Sequence, residues 1–124
     1  MDKVNSIRGA VTVKKNNVKE IKNATTLLLS ELFKQNELDE SKIINIIFTV
    51  TDDLDSMNPA MITREKFKLG STAMLCVQEM KVKGSLSKCI RVLIQTYTKL
   101  PKGKIKHIYL GKAESLRPDL SFDV

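Results

Sequence analysis

Between residues 43 and 50 the chain reads Ile43-Ile44-Asn45-Ile46-Ile47-Phe48-Thr49-Val50, almost wholly apolar and mostly β-branched. Branched side chains lose rotamer freedom in a helix and pack well on a pleated surface, so this run is a strand. It is apolar at odd and even positions alike, which predicts burial on both faces. A sheet therefore runs through the middle of the fold, and the rest of the chain must supply its neighbours and its cover.

The neighbours are legible from period-two alternation. Residues 4–13 place Ile7, Gly9, Val11 and Val13 on one side and Arg8, Ala10 and Thr12 on the other. Residues 72–77 form another apolar strand, closed by Gln78-Glu79. Residues 89–98 place Ile90, Val92, Ile94 and Thr96 opposite Arg91, Leu93, Gln95 and Tyr97. A last strand, residues 104–110, sets Ile105, His107 and Tyr109 against Lys106, Ile108 and Leu110.

The cover is one long helix. After a polar break at residues 14–17, apolar positions step by three and four through Val18, Ile21, Thr25, Leu28 and Leu32, with Leu29 and Phe33 widening the stripe. That predicts an amphipathic helix ending near Asn36. Ser41 begins a short turn, and residues 51–55 make an acidic one. Asn58-Pro59 offers an N-cap followed by proline at the first helical position, predicting a short helix to about Lys66 that carries Arg64. The fold class is α+β, a mixed sheet of about five strands in a single domain over residues 1–124. One long helix covers one sheet face, and the other, also apolar, needs a partner. Self-association is the simplest solution.

Several function classes fall away. No run of about 18 apolar residues marks a membrane helix, and the start, Met1-Asp2-Lys3-Val4-Asn5, has no signal-peptide core, so a cytoplasmic protein is expected. Cys76 and Cys89 make no disulfide framework, and with the single His107 they fall short of a zinc site. The net charge of +7 raises the question of nucleic acid, but the lysines are dispersed, Trp is absent and no binding motif is present. Attraction of a small anion is the more economical use of that charge.

Among 21 basic residues only four are arginine, at positions 8, 64, 91 and 117. Arginine's planar fork grips a carboxylate through two parallel hydrogen bonds, which lysine cannot do. Arg91 is the only charge within Ile90-Arg91-Val92-Leu93-Ile94, and Arg8 stands among Ile7, Gly9 and Ala10. The polar groups within or beside apolar strands are Arg8, Cys76, Glu79, Arg91 and Tyr109. Glu79 reads as a general base, an ion-pair partner for an arginine or a solvated strand end. Cys76 reads by default as a small core residue, Tyr109 as an amphipathic sheet-surface residue, and His107 as a surface strand residue. Without a phosphate loop, dinucleotide fingerprint or metal cluster, an enzyme built from this set works by positioning and electrostatics on a substrate with several negative groups.

Five blocks carry a family resemblance: Ser6-Ile7-Arg8-Gly9-Ala10, Cys76-Val77-Gln78-Glu79-Met80, Lys88-Cys89-Ile90-Arg91-Val92, His107-Ile108-Tyr109-Leu110 and Leu116-Arg117-Pro118-Asp119-Leu120. In order and spacing they resemble the monofunctional chorismate mutases of the small trimeric α/β class. The resemblance implies a pseudo-α/β-barrel homotrimer with active sites in clefts between subunits. It implies rearrangement of chorismate to prephenate, without cofactor or metal, at the shikimate-pathway branch to phenylalanine and tyrosine. By the same resemblance Arg8 and Tyr109 hold substrate carboxylate, Arg91 donates to the breaking ether oxygen, Glu79 and its neighbour Cys76 lie near the ring hydroxyl, and Arg64 stands at the cleft mouth. Leu75, Val77, Gln78 and Leu116 join the substrate site, with Arg117 as support from the C-terminal segment. Asn58 and Met61 depart from the family pattern, which expects an aromatic and a lysine there. The competing readings are a non-catalytic trimeric metabolite binder on the same fold and, on charge alone, a polyanion binder.

Overall fold

The structure, a computed structural model, describes residues 2–116. Five strands, β1 (Lys3–Thr12), β2 (Ile43–Val50), β3 (Ala73–Gln78), β4 (Cys89–Thr98) and β5 (Ile108–Leu110), form one sheet in the order β3-β2-β4-β1-β5. Central β4 runs antiparallel to both β1 and β2, whereas the edge strands β3 and β5 pair in parallel with β2 and β1. The mixed sheet expected from the sequence is present.

Two helices, α1 (Val18–Gln35) and α2 (Pro59–Lys66), both pack on one sheet face. Asn17 starts α1, its side chain accepting from the Glu20 amide at 2.8 Å, and Asn58 does the same for α2 through the Ala60 amide. Pro59 takes the first helical position, where its missing N–H costs nothing. Ile21, Thr25, Leu28, Leu29 and Leu32 are buried on α1, but Val18, at the first turn, remains outside the stripe. Helix and sheet approach closely at Gly9, where a Cβ would stand 3.0 Å from a Leu32 methyl and 3.1 Å from one of Leu28. The rings of Phe33 and Phe67 meet at 5.1 Å and join the helices.

Two expectations change. Strand β2 is fully buried on one face only, through Ile46 and Phe48, because both helices lie there. Ile44 is 38% exposed, and the register shift between Ile43 and Asn45 bulges it out of the ladder. The last strand is shorter than residues 104–110. Lys102–Lys104 form a 3-10 turn, and Lys106 gives its backbone N–H and C=O to the side-chain amide of Asn36, at 2.8 and 2.9 Å, instead of to a strand. With pairing lost, Ile105 leaves the expected face and joins the core beside Ile108.

Candidate active site

The uncovered face of the sheet holds a cavity of about 450 Å³. Its floor is built by register. Ala10 of β1 lies opposite Arg91 of β4 and beside Tyr109 of β5, and Arg91 lies opposite Thr49 of β2. Neighbouring strand positions share a face, so Thr49, Arg91, Ala10 and Tyr109 form one row across four strands. The methyl of Ala10 is the low point between two large polar side chains, and the hollow sits there. Arg8 stands two residues before Ala10 on the same face, and Leu93 two after Arg91.

Glu79 reaches the row from just beyond β3, where its N–H donates to Val50 O at 2.7 Å and prolongs the pairing with β2. The Thr49 hydroxyl donates to Glu79 Oε1 at 2.5 Å, and the same oxygen lies 3.3 Å from Arg91 Nε. That ion pair is not also a hydrogen bond: Arg91 Nε is buried and its N–H meets no acceptor. At 3.3 Å Coulomb attraction persists, but the directional bond requires an N–H that points at the oxygen. The guanidinium is thus held beside a carboxylate by charge, with Nε shut away and the rest of the group half-exposed in the cavity wall. A cavity with two guanidinium groups, one carboxylate and a phenol favours a small polyanion.

On the same face of the sheet, at one side of the cavity, Ala10, Cys89, Tyr109 and Ala113 form a second small core. Tyr109 is only 4% exposed, well inside the position the sequence suggested. Burial pushes the Cys89 thiol up from its ordinary pKa, against the opposing pull of Arg91. His107 is not a strand residue; its Nδ1 accepts the Arg8 backbone N–H at 2.9 Å, so the other ring nitrogen carries the proton in the neutral form.

Of the residues singled out from the sequence, Arg8, Glu79, Arg91, Tyr109 and Leu116 come together in this cavity. Arg64 does not; it is exposed on α2, on the covered side of the sheet. Cys76 pairs with Phe48 and packs against the main core, so within one chain it turns away from Glu79, and burial raises its thiol pKa. Leu75 and Val77 lie in register with Ile47 and Thr49 on the cavity's face of the sheet, but out at the β3 edge with Gln78, exposed and beyond the lining. Arg117 lies outside the described residues. Thr49 and Ala10 were not singled out. Their alternation with apolar neighbours placed each on a face, but only the strand order brings Thr49 to Arg91.

Comparison with known proteins bears on this arrangement. The family model described as chorismate mutase type I matches residues 4–120. The chorismate mutase AroH of Bacillus subtilis (strain 168) is 37% identical over 118 residues, covering 95% of this chain and 93% of that protein. The chorismate mutase AroH of Thermus thermophilus is 38% identical over 118 residues, covering 94% of this chain and 96% of its own length. A solved structure, the chorismate mutase from Clostridium thermocellum, superposes with a TM-score of 0.85 at 47% identity, over 89% of this chain and 97% of that one.

Proposed function

The chain belongs to the chorismate mutase type I family and is a chorismate mutase, an isomerase, and from that premise we propose that the Arg8–Glu79–Arg91–Tyr109 cavity is where chorismate becomes prephenate. The observation that carries this placement is the half-exposed guanidinium of Arg91, held 3.3 Å from Glu79 in the wall of a cavity that Arg8 and Tyr109 also line.

In the rearrangement the ether C–O bond breaks ahead of formation of the new C–C bond. Negative charge gathers on the ether oxygen, which becomes the ketone oxygen of the product, while the ring becomes partly cationic. A guanidinium donor fixed toward that oxygen binds the transition state more strongly than the ground state. Glu79, on the other side of the charge separation, balances the ring and orients its hydroxyl. Arg8 and Tyr109 hold substrate carboxylate and so select the reactive chair, which is scarce in free solution. No electron leaves the substrate and no group is transferred to the protein, so this reading calls for no cofactor or metal.

The cavity opens on the uncovered sheet face, and Arg64, Leu75, Cys76, Val77 and Gln78 lie outside it within one chain. We place them in the cleft from a neighbouring copy, in a homotrimeric pseudo-α/β barrel, with Arg117 as support. Exposed Leu75, Val77, Val4 and Tyr97 give that face the apolar surface an interface between copies would bury. The enzyme then serves phenylalanine and tyrosine biosynthesis in the cytoplasm; among the described residues no helix is long and apolar enough to cross a membrane.

The test is loss of chorismate's ultraviolet absorbance on adding purified protein without any cofactor. Prephenate formation that survives intact in a folded Arg8→Ala, Arg91→Ala double variant would move the chemistry elsewhere.

A further inference from the structure

Strand β4 begins through a residue whose backbone is strained. Lys88 has φ of 46°, in the left-handed region that side-chain-bearing residues disfavour, and neither glycine nor asparagine relieves it. Such a conformation persists only where its surroundings over-determine it. Here they do. Both carboxylate oxygens of Asp53 accept the Lys88 N–H, at 3.1 and 3.0 Å, and Lys88 O accepts from the Val13 amide at 2.7 Å. The Thr51 hydroxyl donates to Asp53 Oδ1 at 2.5 Å and accepts the Cys89 N–H at 3.0 Å, while the Thr51 amide donates to Cys89 O at 3.1 Å. The backbone of Lys88 and Cys89 is therefore held at all four polar groups, and Asp53 with Thr51 supplies three of the four contacts.

Arg91 follows two residues later on the face of Cys89. The turn after β2 thus grips the start of β4, while Thr49 of β2 holds the carboxylate that Arg91 faces. Asp53 itself does not line the Arg91 cavity; it borders a second hollow of about 320 Å³ with Thr51, Asp52, residues 80–87 and Glu79, which lines both.

We propose that Asp53 is a positioning residue for Arg91: by holding the left-handed Lys88 amide it sets the height and direction at which the guanidinium meets the substrate. This rests on the placing of Arg91 in the site proposed above. A group that aims another acts on turnover more than on substrate affinity, since displacements of about 1 Å at a reacting centre cost up to roughly a hundredfold in rate. It also acts only while the group it aims is there.

The experiment is a double-variant cycle read in kcat and KM. Asp53→Ala, introduced into the unmutated enzyme, lowers kcat about tenfold or more with KM within about threefold. Introduced into Arg91→Lys, which retains charge but not the fork, it lowers kcat by less than about twofold, because the geometry it guards is already gone. If Asp53→Ala does not fold, Asp53→Asn, which keeps one acceptor on the Lys88 amide but loses the charge, is carried through the same cycle with the same ordering. Equal losses in both backgrounds, or kcat unchanged by the Asp53 variants, overturn the proposal while leaving the site reading intact. Arg91→Lys with unmutated turnover overturns the site reading and the proposal together.

Discussion

Arg91 Nε lies 3.3 Å from Glu79 Oε1 without bonding to it. The carboxylate holds the guanidinium in place by charge, with Nε shut away and the rest of the group half-exposed. The buried Nε costs the desolvation of a donor, and under the proposed reading it is the exposed remainder of the guanidinium that meets the developing oxyanion. Removal of one such donor costs on the order of 10²–10³ in turnover, about 3–4 kcal/mol. Arg91→Ala is therefore expected to lose at least that factor in kcat. Arg91→Lys should lose most of it too, since an ammonium cannot reach the ether oxygen and a carboxylate at once. Steady-state kinetics on folded variants checks both, and near-normal turnover in Arg91→Ala would overturn the mechanism.

Glu79 should act by charge and orientation rather than by proton transfer. Glu79→Gln is expected to reduce kcat without introducing an acid or base limb into the pH–rate profile, and the solvent isotope effect should stay near unity. Thr49→Val keeps the carboxylate but removes the hydroxyl that steadies it, so its loss should be the smaller of the two. A large solvent isotope effect on kcat would contradict the pericyclic reading.

How far the sequence reaches is clearest residue by residue. The Asn58-Pro59 pair marks the start of α2 because capping and the fixed proline φ are local properties. The two faces of β4 are legible for the same reason: alternation needs no partner. Cys76 and Glu79 are three residues apart, and an odd spacing along a strand already sets them on opposite faces. What stays hidden depends on which strands meet. Thr49 becomes part of the site only because β2 lies beside β4, and Asp53 only because its turn reaches Lys88. The shortened β5 depends on Asn36 claiming the Lys106 backbone from 70 residues away.

The uncovered sheet face makes a prediction about assembly. Val4 and Tyr97 are directly opposite one another on β1 and β4, 51% and 49% exposed, on the same face as Arg8 and Arg91. In a closed trimer of about 42 kDa, three times the 14.0 kDa chain, that face is shared between copies. Val4→Asp should weaken assembly, and its specific activity should fall on dilution and recover at high protein concentration. Light scattering paired with assays across concentration tests this. A stable monomer with full activity would remove the shared cleft.

Acid should loosen the grip of Asp53 on β4. Burial pushes its carboxyl up, but the Thr51 hydroxyl and the Lys88 amide, with the Lys88 charge, outweigh burial and hold it below its ordinary value. A carboxyl with a lowered pKa in the folded state binds fewer protons there than in the unfolded chain. Its stabilisation is complete above the unfolded value, near 3.9, and is lost as pH falls through the folded one. At neutral pH the unmutated enzyme should therefore be more stable than Asp53→Asn. The gap should narrow as pH drops below about 4, where both chains carry an uncharged group at this position. Urea midpoints at matched protein concentration, from pH 7 down to pH 3, measure it, and the shifts at Asp2 and Asp39 cancel because both proteins share them. A gap that stayed constant or widened on acidification would mean that the charge on Asp53 does not hold the Lys88 amide.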